Sequence, residues 1–280
     1  HHTIDGSGSA DHVLDGGEVQ MLALPLADGV NDAPALKHAD VGIAVSSATE
    51  SAKDSASAVL VTEGLGGILA MIKTGRAIYQ RIFSWVLNMI TKKTFTVGYI
   101  VVMLFLTRHM VVSIFGMVLW IFFADFATMS ISTDNVRYSK RPDSLDTSWL
   151  FKVGVPLAIL ALIEGVILTM TGLTYFGLES NINKLYTFTF AYLVIESLFS
   201  LMIVRERSHF WKSRPSNVLL ITTVVEILIV AVISLLGFEE LAPIGYIPLL
   251  VILAYSFAVS FFINDILKVQ LLRRFYKSSQ

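Results

Sequence analysis

Apolar positions dominate this chain in six blocks, each near the ~20 residues that cross a bilayer. They cover residues 86–106, 111–133, 153–175, 186–204, 217–237 and 246–266. Upstream of them the pattern changes. Ile68, Ile72, Ile78, Ile82 and Trp85 recur mostly at three- to four-residue spacings, with Lys73, Arg76 and Arg81 between them. This period predicts a stalk helix over 65–85 that runs on into the first span near Val86. Residues 21–64 alternate short apolar runs with polar loops. Met21–Leu24, Val41–Val45 and Ala58–Val61 predict strands, Pro34 sits just inside a helix start, and Thr49 to Ser57 suits a second helix. Strand–loop–helix alternation implies a parallel sheet. About forty residues cannot complete a doubly wound domain, so 21–64 reads as the C-terminal part of one. Residues 1–20 have no usable period and stay unassigned; His1, His2 and His12 read as a polar end, not a metal set. The expected fold class is mainly α: a polytopic six-helix transmembrane domain preceded by a partial α/β segment.

Charge orients the spans. Loops 134–152 and 205–216 and the basic tail at 267–280 hold twelve Lys and Arg between them, against Arg108 and Lys184 alone in the three opposite loops. Positive residues stay on the cytoplasmic side, so both ends and the 28–36 loop are expected there. The chain is 54% hydrophobic with mean hydropathy +0.68, and its net charge is −1. No basic excess points to nucleic acid. The absence of cysteine removes disulfides, thiolate metal sites and Cys nucleophiles. Gly116, Gly154, Gly165 and Gly172 fall in the spans, where small residues let helices approach closely.

The polar segment holds one motif with chemistry, Asp28-Gly29-Val30-Asn31-Asp32-Ala33-Pro34-Ala35-Leu36. Asp28 and Asp32 lie on a glycine-containing turn after a strand, where both carboxylates can face Mg²⁺, an ion that takes hard oxygen ligands plus substrate phosphates. Gly29 lets the backbone approach a ligand closely, and Asn31 can donate to phosphoryl oxygens. An Asx turn capping the helix at Pro34 is the simpler reading of the five residues Asp28–Asp32.

The whole string resembles the hinge motif of P-type ATPases, ion pumps of the haloacid-dehalogenase phosphotransfer superfamily. The resemblance continues through Ala39-Asp40-Val41-Gly42-Ile43-Ala44 and Ala52–Ala56. In the membrane half, Ala124-Asp125-Phe126-Ala127-Thr128 through Val136 is similar to the sixth span and exit loop of plasma-membrane proton pumps. Val204-Arg205-Glu206-Arg207 through Ser216 is similar to the loop after their eighth span. The resemblance implies that the six spans are the fifth to tenth of a ten-span pump. It implies that Asp28 is the magnesium aspartate, that Asn31 and Asp32 support the phosphorylation site, and that Asp125 takes up the transported proton. Leu26-Ala27 stand where the family has Thr-Gly. The family's phosphorylation motif Asp-Lys-Thr-Gly-Thr does not occur in the 280 residues. ATP would therefore be bound mainly by domains outside this chain, and the chain alone is expected not to hydrolyse it.

Asp125, Glu164, Glu196 and Glu226 fall near the middle of four spans. A charge there costs at least ~2.5 kcal/mol, so each group faces a cavity, finds a partner or stays protonated. Asp125 is the expected ion-transport residue. The three glutamates read first as carboxyls bonded to neighbouring helices, and secondarily as ion-path groups. Lys92 and Lys93 enter the first span, and adjacent helical residues point about 100° apart, so only one of them can readily face Asp125. Proton pumps of the resembled branch carry an arginine there as counter-ion; Phe95 stands at that position. Snorkelling of both lysines to the cytoplasmic face is the competing reading.

These readings converge on a portion of an ATP-driven cation pump of the plasma membrane, multi-pass in the lipid bilayer and exporting H⁺, with Mg²⁺ and ATP as cofactors of the intact protein. A pump for another cation (Mg²⁺, K⁺ or Ca²⁺) and a non-catalytic truncated membrane fragment are the alternatives.

Overall fold

The computed structural model describes residues 26–27, 30–39, 41–61, 66–137 and 147–275. They divide into two units after Ile72.

The first unit holds three two-residue strands, β1 (Leu26–Ala27), β2 (Ile43–Ala44) and β3 (Ala58–Val59), in the order β1-β2-β3. Both pairings are parallel, with Leu26 opposite Ile43 and Ile43 opposite Ala58. Each crossover carries a short helix, α1 (Ala33–His38) and α2 (Glu50–Ser55). The expected alternation is therefore present, with the first pairing at Leu26–Ala27; the strand expected at Met21–Leu24 lies outside the described residues. Leu36, Ala44, Ala48 and Ala52 form the small core. Gly42 is required by packing, because a Cβ there would run into the Leu36 carbonyl.

The second unit is helical, and its first helix begins seven residues before the boundary, in the first unit. α3 (Gly66–Thr107) is one continuous helix of 42 residues, about 63 Å at 1.5 Å per residue. It covers the expected stalk and first span together. α4 (Ile114–Met129) ends in a tighter turn at Ser130–Thr133; α5 (Thr147–Tyr175), α6 (Ile182–Val204) and α7 (Asn217–Leu236) follow. The last span is α8 (Tyr246–Ala258), a π-helical segment over Val259–Asn264 and α9 (Asp265–Phe275). Six of these elements are long and apolar enough to cross a membrane, as the sequence pattern predicts.

Side-chain caps fix three of the helix starts. Ser113 Oγ accepts from Gly116 N at 3.0 Å, Asn181 Oδ1 from Asn183 N at 3.1 Å, and Ser216 Oγ from Leu219 N at 3.1 Å. α6 is the central helix, packed against α4, α5, α7 and α8, with its most apolar window 94% buried. Glycines let α5 approach it: a Cβ on Gly165 would strike Tyr192, and one on Gly172 would strike Phe188. On the outer side of α4, Val118, Phe122, Phe126 and Met129 are exposed at helical spacing, a face suited to lipid.

Candidate functional site

The six expected ion-path residues lie on five helices of the second unit, α3 to α7. Lys92 is on α3, and its side chain is 2% exposed. Its ammonium donates to Asp125 Oδ1 at 2.9 Å, to the Ala124 carbonyl at 3.2 Å and to Thr128 Oγ1 at 3.4 Å. Three donors meet three acceptors, which is the full capacity of an ammonium. Thr128 in turn donates to Ala124 O at 2.6 Å, and Asn88 Nδ2 donates to Thr128 Oγ1 at 3.4 Å. Asn88 and Lys92 are one helical turn apart and present the same face of α3 to α4.

The arrangement is asymmetric. Lys92 is enclosed, whereas the Asp125 side chain is 48% exposed, one oxygen turned to the lysine and the group as a whole standing at the edge of the lipid-suited face of α4. A buried ammonium without a partner would be costly, so the pair fixes α3 against α4 at this depth. Lys93 points elsewhere: it is exposed and lies 6.0 Å from the centre of the Trp120 ring. Of the two adjacent lysines the helix geometry thus selects Lys92. Phe95, one turn further on, is buried against Tyr99 and Tyr192, with ring centres 5.7 and 6.1 Å away. A cationic side chain at Phe95 would sit in that aromatic cluster, and Lys92 reaches Asp125 from the preceding turn instead.

The three glutamates are buried. Glu164 on α5 accepts from Asn264 Nδ2 at 3.0 Å, and Glu196 on α6 accepts from Ser260 Oγ at 3.1 Å. Both bonds go to neighbouring helices, the arrangement the sequence suggests first. Glu226 on α7 differs: neither of its oxygens has a hydrogen-bond partner among the described residues. It lies within electrostatic reach of Lys92. Sequence reasoning missed Asn88, Thr128, Ser260 and Asn264. Each is a polar side chain inside an apolar run, and the pairs Asn88/Lys92 and Ser260/Asn264 are four residues apart. That spacing was the available signal.

In the first unit, Asp28 and Gly29 lie outside the described residues. Asn31 is exposed and Asp32 half-buried, in the turn Val30–Asp32 between β1 and α1. That turn follows the carboxyl end of β1, the edge of a parallel sheet where ligands bind. Among the described residues it offers the Asp32 carboxylate and the Asn31 amide oxygen, donors of the hard type Mg²⁺ takes.

No family model matches the chain. It is 32% identical to a plasma membrane ATPase of Candida albicans over 191 residues, 68% of this chain and 21% of that protein. A plasma membrane ATPase of Saccharomyces cerevisiae is 33% identical over 190 residues, with the same two shares. A protein of Methanocaldococcus jannaschii, provisionally named a cation-transporting ATPase, is 30% identical over 247 residues, which is 88% of this chain and 30% of that protein. The chain belongs to the P-type ATPases. It spans about a fifth of the length of the plasma membrane ATPases it matches.

Proposed function

We propose that this segment of a P-type ATPase carries the ion path of a proton-exporting pump, with Asp125 as the group that takes up and releases the proton. The observation that carries the reading is the Lys92–Asp125 contact at 2.9 Å inside two apolar helices. A lysine held against the carboxylate supplies an internal counter-charge. When Asp125 binds a proton its attraction for Lys92 falls; when Lys92 closes on it again, the proton leaves. The pair therefore favours one-way release, and Thr128 and the Ala124 carbonyl hold the lysine in place between the two states.

The same contact weighs against a divalent cation. Ca²⁺ takes six to eight oxygens and Mg²⁺ six, and neither tolerates an ammonium among its ligands. The Lys92 ammonium holds the Asp125 carboxylate, the Ala124 carbonyl and the Thr128 hydroxyl as its own acceptors.

In the intact pump, Asp28 and Asp32 would hold Mg²⁺, with Asn31 beside the transferring phosphoryl group. The ion would supply charge neutralisation for phosphoryl transfer from ATP. α3, unbroken from Gly66 to Thr107, is suited to carry the resulting movement to Lys92. Both chain ends and the Asp28 loop would be cytoplasmic, in accord with the twelve-to-two distribution of loop Lys and Arg.

The test is proton transport by the full-length pump in sealed vesicles, with Asp125→Asn. Loss of ATP-driven acidification with the protein still folded supports the reading. Coupled transport at the unsubstituted rate refutes the assignment of Asp125. Stimulation of the ATPase by K⁺ or another metal cation, independent of pH, would favour the pump for a different ion.

A further inference from the structure

A second polar site lies on helices away from Asp125. Glu164 on α5 and Glu196 on α6 both bond to the π-helical segment Val259–Asn264, through Asn264 and Ser260 respectively. Those two partners are four residues apart on one element, and the two carboxyls are within electrostatic reach of each other. π-helical turns inside a helix displace the backbone ladder and recur at functional sites. Here the segment turns Ser260 and Asn264 inward together.

Two observations point to a ligand. Glu164 Oε1 and Asn264 Oδ1 are both fully enclosed and without a hydrogen-bond partner among the described residues, on side chains of residues only 6% and 7% exposed. Two acceptors of this kind in one place await a donor hydrogen. Beside Asn264 is a cavity of about 10 Å³, room for one water, whose polar lining includes Glu196, Ser200 and Asn264. A second cavity of the same size shares Glu196, Ser200 and Thr91 with it and extends to Lys92.

The charges do not balance with both carboxyls ionised. Ser260 and Asn264 are neutral donors. The other titratable groups facing the pair are Tyr192 and Tyr255, whose hydroxyls donate to the carbonyls of Ala161 and Glu164. Lys92, which lines the connected cavity, is already bonded to Asp125. Two unneutralised carboxylates buried together would cost several kcal/mol each.

We propose that Glu164, Glu196, Ser260 and Asn264 form a second proton-holding site, in which one proton is bound between the two carboxyls and exchanges through the small cavities toward Lys92. Binding adds H⁺ to one carboxylate oxygen; that O–H then donates to one of the unpartnered acceptors, and no bond between heavy atoms changes. The room for a single water suits a proton better than Mg²⁺ or Ca²⁺, which take six or more oxygens. The site's four residues are distinct from Lys92 and Asp125, so proton binding here is tested apart from that pair, and only the exchange path leads to Lys92.

The experiment is infrared spectroscopy of the 280-residue chain in lipid nanodiscs at neutral pH, reading the carbonyl stretch of protonated carboxyl groups. Asp125→Asn together with Glu226→Gln removes two of the other intramembrane carboxyls and leaves Asp265, which is ion-paired with Lys268 at 2.8 Å. The expected result is a protonated-carboxyl band in that background, lost on adding Glu164→Gln and Glu196→Gln. Ser260→Ala, which keeps both carboxyls and removes one donor, is expected to shift the band and serves if the glutamine variants do not fold. No band in the Asp125→Asn, Glu226→Gln background overturns the proposal. So does a band unmoved by Ser260→Ala, or one abolished by Na⁺ or K⁺ but not by choline, which would mark a metal-cation site.

Discussion

Arg205 Nη1 donates to Asp134 Oδ2 at 2.9 Å, and the two side chains are 1% and 0% exposed. The residues are 71 positions apart and close one end of the helical bundle. Asp134 Oδ1 accepts from Ser216 N at 2.9 Å, and its backbone carbonyl accepts both Nε and Nη2 of Arg81 at 3.1 and 3.0 Å. Ser84 Oγ donates to the Arg205 carbonyl at 3.1 Å, and Arg205 Nη2 donates to the Ser213 carbonyl. One aspartate thus ties α3, the turn after α4, the end of α6 and the start of α7 together. Removing one partner of a buried pair leaves an uncompensated charge. Asp134→Ala is expected to lower stability by about 3–5 kcal/mol, read as a fall in Tm of the purified chain in detergent. Asp134→Ala with Arg205→Met is expected to lose less than Asp134→Ala alone.

Lys92 and Lys93 make a matched pair of tests, since they are adjacent and alike in sequence but opposite in environment. Lys92→Met leaves the Asp125 carboxylate without its counter-charge and is expected to cut coupled transport at least ~10-fold, an effect of about 1.4 kcal/mol on the rate-limiting barrier. Lys93→Met removes an exposed side chain and is expected to change stability by no more than about 0.5 kcal/mol. Vesicle acidification and thermal unfolding of the two variants side by side check both statements.

Gly165 faces the Tyr192 ring so closely that a Cβ would collide with it. Gly165→Val is expected to force α5 away from α6 and to cost about 1–3 kcal/mol, the range for overpacking a close-packed core. Tyr192→Phe keeps the ring and removes only the hydroxyl that donates to Ala161 at 3.3 Å, so it is expected to cost less. Melting curves of the two variants give the order.

Much of this architecture could be read along the chain, for identifiable reasons. The six spans are visible because a bilayer demands long apolar helices, and α3 is visible as one helix because its apolar period persists through the polar turns into the span. Asp125 stood out as a carboxylate in an apolar run. The choice between Lys92 and Lys93 was not legible, because it depends on how α3 is rotated against α4. The Arg205–Asp134 pair was hidden for a different reason. Both residues looked like ordinary loop charges, and Arg205 was counted among those that orient the spans, yet tertiary packing buries it. The π-helical segment has no sequence period of its own, so the meeting of Ser260 and Asn264 with Glu196 and Glu164 could come only from the folded helices.

The central claim is that Asp125, paired with Lys92, carries the transported proton. The most direct measurement is ATP-driven acidification of sealed vesicles by the full-length pump bearing Asp125→Asn, with Tm measured on the same preparation. The account predicts that acidification disappears while the protein remains folded. Acidification at the rate of the unsubstituted pump would contradict it.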